Sequence, residues 1–391
     1  MTTAKSPQRG FSRDEFKNRC TLVQQNMAEA NIDVLWLTTE ADVRYLSGFS
    51  TQFWQSPTRA WHLLLAQTGN PVAVIPEIGL ACMERTWIED IRTWSSPHPV
   101  DDGVSLMIDT IIKLSGKAPR VGIPMASGTH IRCCWHDFER IRSGLAQAEW
   151  ADASDAIGKV RQIKSSTEIE KISYACELTS KAFAQVPTLV EEGMSDIDAF
   201  RAFRICCLQQ GVDDPAYVVG KVDAGGYDDI IAGPVGHIIA SGDVLIFDTG
   251  CVFDGYYSDF DRNFAFSYAC QKTQSAHQRV WDATEAGLAM ARPGVSCAEL
   301  FQTMMQVMDD DSSDTRSTVG RLGHGLGSQL TETPSITSFD QTELKAGMVI
   351  TLEPGYCYSP GKIMVHEENL LITESGFQLL SHRAPRDIPV I

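Results

Sequence analysis

The first 150 or so residues alternate between helix-period and strand-period patterning. Apolar positions from Phe11 to Ala30 recur at helical spacing. Ser12 precedes Glu15 by three, the arrangement of a capping box, so a helix is predicted there. Asp33 to Thr38 is a short apolar run predicted as a buried strand. Tyr45-Leu46-Ser47-Gly48-Phe49 ends a second element at a glycine turn. Trp61 to Ala66 and Pro71 to Ile75 are predicted strands joined by the turn Gln67-Thr68-Gly69-Asn70. Such alternation predicts an α/β layered domain. From Ala151 to Thr167 the pattern turns polar, and a long amphipathic helix is predicted to begin near Ser166 or Thr167. A domain boundary is placed there, dividing the chain into 1–160 and 161–391.

The second part contains an internal repeat. Gly242 to Gly250 (GDVLIFDTG) and Gly347 to Gly355 (GMVITLEPG) share the frame Gly-x-Val-x-x-x-acid-x-Gly, 105 residues apart. Upstream, Gly193-Met194-Ser195 and Gly294-Val295-Ser296 match at an offset of 101. Each serine is followed three residues on by an acid, Asp198 or Glu299, as at a capped helix start. Helix, capped helix, then a strand ending in an acid thus occurs twice. Two copies predict a pseudo-symmetric domain rather than a solenoid.

A local two-fold would bring Asp248 and Glu353, the acids ending the twin strands, together near its axis. Two anions in a dry interior repel unless they share protons or a cation. Asp259 follows Asp248 by 11 residues, a spacing that suits an antiparallel return, and Glu367 follows Glu353 by 14. His324, in Arg321-Leu322-Gly323-His324-Gly325-Leu326-Gly327, adds an imidazole on a loop that its glycines leave free to bend. Two Asp, two Glu and one His form an oxygen-rich set. It suits a pair of Mn²⁺, Fe²⁺, Co²⁺ or Zn²⁺ ions better than one structural zinc. Two such ions would activate a water and polarise a carbonyl.

Composition narrows the field. Apolar residues make up 43% and charged residues 21%, as in an ordinary globular protein. Lys+Arg number 33 against 50 Asp+Glu, a formal charge of -17, which argues against nucleic acid as a partner. Eleven scattered cysteines with no Cys-x-x-Cys pair suggest reduced thiols in a cytoplasm. The polar start MTTAKSPQRG carries no signal-peptide pattern, and no apolar run is long enough for a membrane span. A cytoplasmic protein without membrane partners is expected.

These residues resemble the pita-bread metallopeptidase family, M24, which contains methionine aminopeptidase, aminopeptidase P, prolidase and creatinase. Its ligand frame is matched by Asp248, Asp259, His324, Glu353 and Glu367. Val160 to Glu168 (VRQIKSSTE) resembles the segment opening the catalytic domain in the prolidase and creatinase branch. Asp42 to Phe49 (DVRYLSGF) resembles the creatinase-type N-terminal domain. The resemblance implies an α/β creatinase-like N-terminal domain and an α+β, pseudo-two-fold pita-bread catalytic domain. It also implies two divalent metal ions and a homodimer in which one subunit's N-terminal domain covers the other's active site.

Departures from the family pattern bear on the substrate. A family histidine seven residues after the metal histidine, in a His-Glu-x-Pro context, is here Thr331 in Thr331-Glu332-Thr333-Pro334. A second, roughly 17 positions before the first metal aspartate, is absent from Gly226-Tyr227-Asp228-Asp229-Ile230-Ile231. The arginine usual two residues before the last glutamate is Val365. Those imidazoles normally hold the peptide carbonyl and shuttle a proton to the leaving amine. The metal centre is therefore kept and the peptide-handling layer rebuilt, which suggests a small, non-standard substrate.

Further candidates complete the set. Glu353 and His324 are assigned catalytic roles, with Glu353 relaying the proton to the leaving nitrogen. His237 is a candidate catalytic imidazole near Asp248. His366 is expected to point away from the metals because strand side chains alternate. Tyr227 and Thr331 are candidate substrate contacts. In creatinase-like relatives the region Phe53 to Trp61 crosses to the partner, which makes Arg59 a candidate for the substrate carboxylate and Trp54 for its wall. Arg262 and Asp261 are expected to support the ligand carboxylates from behind. Asp309-Asp310-Asp311 with Ser312, Ser313 and Asp314 is expected to be a solvated loop, and Cys357 a packed thiol.

The expected function is hydrolysis of an amide or X-Pro-like C–N bond in a small or dipeptide-like substrate bearing a carboxylate. Creatinase-like amidinohydrolysis is an alternative. Another is a lyase acting on a small zwitterion, as in the dimethylsulfoniopropionate lyase that resembles this family. That enzyme has an aspartate where this chain has Ile246, which weighs against it. The last alternative is a catalytically silent binding module, which the five retained ligands disfavour.

Overall fold

The computed structural model describes residues 5–308 and 320–391, so the acidic run from Asp309 to Asp314 lies outside the described residues. The chain forms two compact units, Gln8–Arg161, and Gln162–Ile391 together with the described residues before Gln8.

The first unit is built on a six-stranded mixed sheet. Its spatial order is Asp90–Trp94, Val72–Pro76, His62–Ala66, Val34–Leu37, Arg120–Ile123, Glu149–Asp152. Alternate residues of its central strands enter two different apolar clusters. Leu35, Leu37, Leu63 and Leu65 join one, and Val34, Trp36 and Leu64 join the other. Both faces are therefore covered, which is why these strands read as continuous apolar runs. The predicted first helix spans Arg13–Glu29, and the Glu15 N–H donates to Ser12 Oγ at 3.1 Å. The element before Phe49 is the helix Glu40–Ser47. It closes on Gly48, whose φ of 77° is left-handed and whose N–H donates to Arg44 O.

The second unit opens with the predicted long helix, Ser166–Phe183. A full capping box between Ser165 and Glu168 starts it. Both repeat copies then appear as structure. Ser195 caps the helix Asp196–Gln210, and Ser296 caps Cys297–Met308, each accepting from the N–H of the acid three residues on at 3.2 Å. Each capped helix packs on the longer helix before it, Ser166–Phe183 or Gln271–Met290.

The twin strands are Asp243–Phe253 and Val349–Leu352. The first differs from expectation, because it continues five residues beyond Asp248. Its neighbours are Phe260–Ala265 on one edge, with Asp214–Val219 and Val222–Ala224 along the other. In the second half, Leu352 pairs with Glu368 and Gly355 with Val365. That register sets Glu353 opposite Glu367 at the junction of two strand pairs. All eleven cysteines are unpaired. No helix among the described residues is long and apolar enough to cross a membrane.

Candidate metal centre

The register of the long hairpin decides which acids meet. Asp261 lies directly opposite Asp248, and Phe260 opposite Thr249. Asp259, the residue expected beside Asp248, continues this register opposite Gly250, one diagonal step away. Residues two apart share a face, so Asp248, Asp259 and Asp261 all project to one side of the sheet. The Glu353–Glu367 junction supplies two more carboxylates.

His324 is fixed by its backbone. Its N–H donates to Thr351 Oγ1 at 3.1 Å, and its Nδ1 lies 2.9 Å from Gly325 O. A carbonyl can only accept, so Nδ1 carries a proton, and in the neutral ring Nε2 is the lone-pair atom. Nε2 is 3.3 Å from Asp259 Oδ2 and 3.8 Å from Glu353 Oε1. Gly323 lets the loop pass this close. A Cβ there would sit 2.2 Å from Thr351 O, and its φ of +149° suits glycine alone.

Ligand atoms of Asp259, His324 and Glu367 all fall within 4.8 Å of one another, in a buried position that could hold a metal ion. Glu353 adjoins this group through His324. Asp248 adjoins it through Tyr217, whose hydroxyl donates to Asp259 Oδ1 and lies 3.1 Å from Asp248 Oδ1. Glu367 Oε1 and Glu353 Oε1 are buried without a hydrogen bond, and Glu353 Oε1 meets only the ion-pair contact of Arg321 Nε at 3.3 Å on its outer side. Buried carboxylate oxygens are expensive to leave unpaired, so two oxygens of this kind facing a cluster of like charges fit cations. Burial pushes the carboxyls of Asp248 and Glu367 well above the usual range, and neighbouring anions push them further. Burial also raises Asp261, to about 8, against the pull of Arg262.

Groups behind the cluster hold its frame. Asn369 Oδ1 accepts from Asp259 N at 2.9 Å, and Asn369 Nδ2 donates to Asp259 O, pinning that residue on both sides. Cys176 Sγ, 3.3 Å from Asn369 Oδ1, steadies the amide. Arg262 donates to Glu367 O at 2.9 Å and pairs with Glu368 at 2.9 Å. It thus supports the Glu367 backbone and pairs with Glu368, where a pairing with a cluster carboxylate was expected.

Three candidates are placed elsewhere. His237 Nε2 pairs with Asp243 Oδ2 at 2.7 Å. Asp243 is five residues along the strand from Asp248, on the order of 16 Å at about 3.3 Å per residue, out of reach of the carboxylates. Tyr227 is fully buried, with its hydroxyl 2.7 Å from Asn263 Oδ1 and accepting from Val365 N, so it is core and not a substrate contact. Trp54 is buried among Phe49 and Trp61 under the Arg132 guanidinium, as a packing residue of the first unit. Arg59 and Thr331 are half-buried; Thr331 immediately precedes the strand Glu332–Ser335, which pairs with His324–Gly325.

His366 points away from the cluster, as alternation requires. Thr284 Oγ1 gives its proton to Val280 O, so it accepts from His366 Nδ1 at 2.9 Å, and Arg383 Nη1 donates to His366 Nε2 at 3.2 Å. Burial holds this imidazole well below its ordinary pKa, hence neutral. Cys357 is half-buried and unpaired.

Tyr217, Asn369 and Glu368 were not found from sequence. Only Tyr217 left a signal, in Gly250. A Cβ on Gly250 would fall 2.4 Å from the Tyr217 ring, so the repeat-frame glycine is the slot through which that ring reaches the acids. Tyr217→Phe is expected to weaken Mn²⁺ binding about 10-fold with the fold intact. Gly250→Ala should do at least as much, and calorimetric titration of both variants checks it.

The comparisons with known proteins agree with this geometry. Residues 170–374 match the model of metallopeptidase family M24, and residues 19–163 match the creatinase/prolidase N-terminal domain. The chain therefore belongs to metallopeptidase family M24. It is similar to an uncharacterized peptidase of Staphylococcus aureus (strain USA300), at 25% identity over 90% of this chain and 95% of that protein. In fold it is similar to a prolidase from Thermococcus sibiricus. The TM-score is 0.86 at 21% identity, covering 98% of this chain and 100% of the other. It is likewise similar to dipeptidase PepE from Mycobacterium ulcerans, with TM-score 0.84 at 22% identity, covering 97% and 99%.

Proposed function

We propose that this protein is a dinuclear-metal hydrolase that cleaves an amide C–N bond in a small, carboxylate-bearing substrate of the X-Pro dipeptide type or a close analogue. The observation that carries the reading is the buried cluster of Asp259, His324 and Glu367, whose ligand atoms lie within 4.8 Å of one another, with Glu367 Oε1 left without a hydrogen-bond partner. Asp248, Asp259, His324, Glu353 and Glu367 would hold two divalent ions, of which Mn²⁺, Fe²⁺, Co²⁺ and Zn²⁺ all suit the donors. Bound there, the ions supply Lewis acidity and lower the pKa of water.

The chain's own groups do the rest. Glu353, lifted above the ordinary carboxyl range by burial, is suited to take a proton from the nucleophile and return it to the leaving nitrogen. Tyr217 and Asn369 keep Asp248 and Asp259 in place. Thr331 stands where related peptidases have an imidazole, so X-Pro dipeptides are expected to turn over slowly compared with a small amide that needs less carbonyl polarisation. Ile246, buried in the apolar core, offers no acid for lyase chemistry. A homodimeric, cytoplasmic enzyme is part of the same reading. The unpaired thiols support a reducing compartment, and sedimentation would give the oligomeric state.

The test is an assay of Gly-Pro, a tripeptide and a panel of N-acyl amino acids, with Mn²⁺ and after chelation. Turnover should vanish with chelator and return with metal. Robust Gly-Pro hydrolysis would refute the rebuilt peptide-handling layer, and failure to take up metal would remove the centre itself.

A further inference from the structure

One cation beside the cluster has unused donors. Arg321 Nε lies 3.3 Å from Glu353 Oε1, on the loop that carries His324 three residues later. Its side chain is 38% exposed, and among the described residues no other acceptor meets it. The neighbouring guanidiniums are committed. Arg262 is held by Glu368, Glu367 O and His382 O, and Arg383 by His366, Glu368, Glu285 and Trp281 O. Arg321 alone of these three keeps the Nη1–Nη2 edge open.

We infer that Arg321 is the anchor for the substrate's carboxylate, gripping it through that open edge while Nε stays on Glu353. The inference rests on the hydrolase reading and names what holds the substrate in it. Two parallel N–H donors at fixed spacing match two carboxylate oxygens, which a lysine point charge does not. A carboxylate approaching this site must also come close to Asp248, Asp259, Asp261, Glu353 and Glu367. An uncommitted cation at the edge offsets that repulsion and fixes which end of the substrate faces Glu353. A purely structural role is a poor alternative, because a part-exposed pair of this kind contributes little to folding. Arg59, given the same task from the sequence, serves as the comparison in the test.

The experiment compares N-acetyl-L-proline with N-acetyl-L-prolinamide, titrated against Mn²⁺-loaded wild type, Arg321→Gln, Arg321→Lys and Arg59→Gln. Wild type should prefer the carboxylate by about 10–100-fold. Arg321→Gln should bind both ligands alike, Arg321→Lys should recover part of the preference, and Arg59→Gln should keep it. Undiminished preference in folded Arg321→Gln, or no preference in wild type, overturns the assignment. If Arg321→Gln does not fold, an unchanged preference in Arg321→Lys overturns it instead. Metal content is measured separately. Absent uptake would sink the hydrolase reading, and the same titrations on metal-free protein would still decide Arg321.

Discussion

Glu353→Gln is expected to lower kcat on the best substrate found by on the order of 10²–10⁴-fold, the usual contribution of a positioned acid–base group. The substitution keeps the size of the side chain and its place at the strand junction opposite Glu367, so the protein should fold. It removes one of the two cluster carboxylates, with Asp248, that are not fully buried. The Glu353 side chain is 21% exposed, against 6% for Asp259. KM should change far less than kcat, because Glu353 acts on the proton and Arg321 on the carboxylate. Metal content by elemental analysis must accompany the kinetics. A variant that still binds two ions and has lost turnover supports the relay, whereas full activity in the glutamine variant would falsify it.

Stability of the metal-free protein should fall as pH rises between about 6.5 and 8, and added Mn²⁺ should reverse the loss. The Asp261 carboxyl is raised from 3.8 to about 8 by burial, and burial also holds those of Asp248 and Glu367 well above the usual carboxyl range. A carboxyl with a folded pKa above its unfolded value binds protons more tightly when folded. It therefore favours the fold at low pH, and that benefit is lost as pH climbs through the folded value. His324 acts in the same direction. Burial opposes its charged form, but the hydrogen bond to Asp259 with the charges of Glu353 and Asp259 leaves its pKa raised. His277 acts oppositely, because burial lowers it to about 4, and its contribution flattens the profile below about 6.5. Metal binding requires these carboxyls ionised, so it releases protons. Each proton displaced makes binding tenfold tighter per pH unit, about 1.4 kcal/mol. Thermal melts with and without Mn²⁺ at pH 6.5 and 8 measure this. A larger metal-induced rise in Tm at pH 8 is expected, and an equal rise at both would contradict the assignment of the acids.

Much of the centre was legible in the chain because its signals are local. A serine three residues before an acid can satisfy the first N–H groups of a helix within one turn, and both repeat copies carried that mark at Ser195 and Ser296. The candidate acids stood out because carboxylates at the ends of apolar strands need a reason to be there, and the structure brings Asp259, His324 and Glu367 together. Three strands of the first unit, Val34–Leu37, His62–Ala66 and Val72–Pro76, were equally plain, since burial on both faces leaves no polar alternation to confuse them, whereas the other three strands of the sheet were not picked out.

What surrounds the donors was not legible, because it depends on register and on groups far apart in sequence. His237 sits close to Asp248 along the chain, yet an extended strand turns five residues into a long distance, and Asp243 takes the imidazole instead. Tyr227 fell in a stretch read as substrate-facing, and only its seat between Asn263 and Val365 shows it to be core.

By itself, then, the sequence determined the two-part organisation of its patterning, the duplicated helix–cap–strand plan and a set of five candidate donor residues. Capping, periodicity and turn chemistry are written within a few neighbouring positions. Only the tertiary structure decided that Asp261 faces Asp248, that Tyr217 reaches two acids across Gly250, that Asn369 pins Asp259 and that Arg321 is left with open donors. Those outcomes follow from strand register and from competition among buried charges for a limited set of partners, and no short window of sequence encodes either.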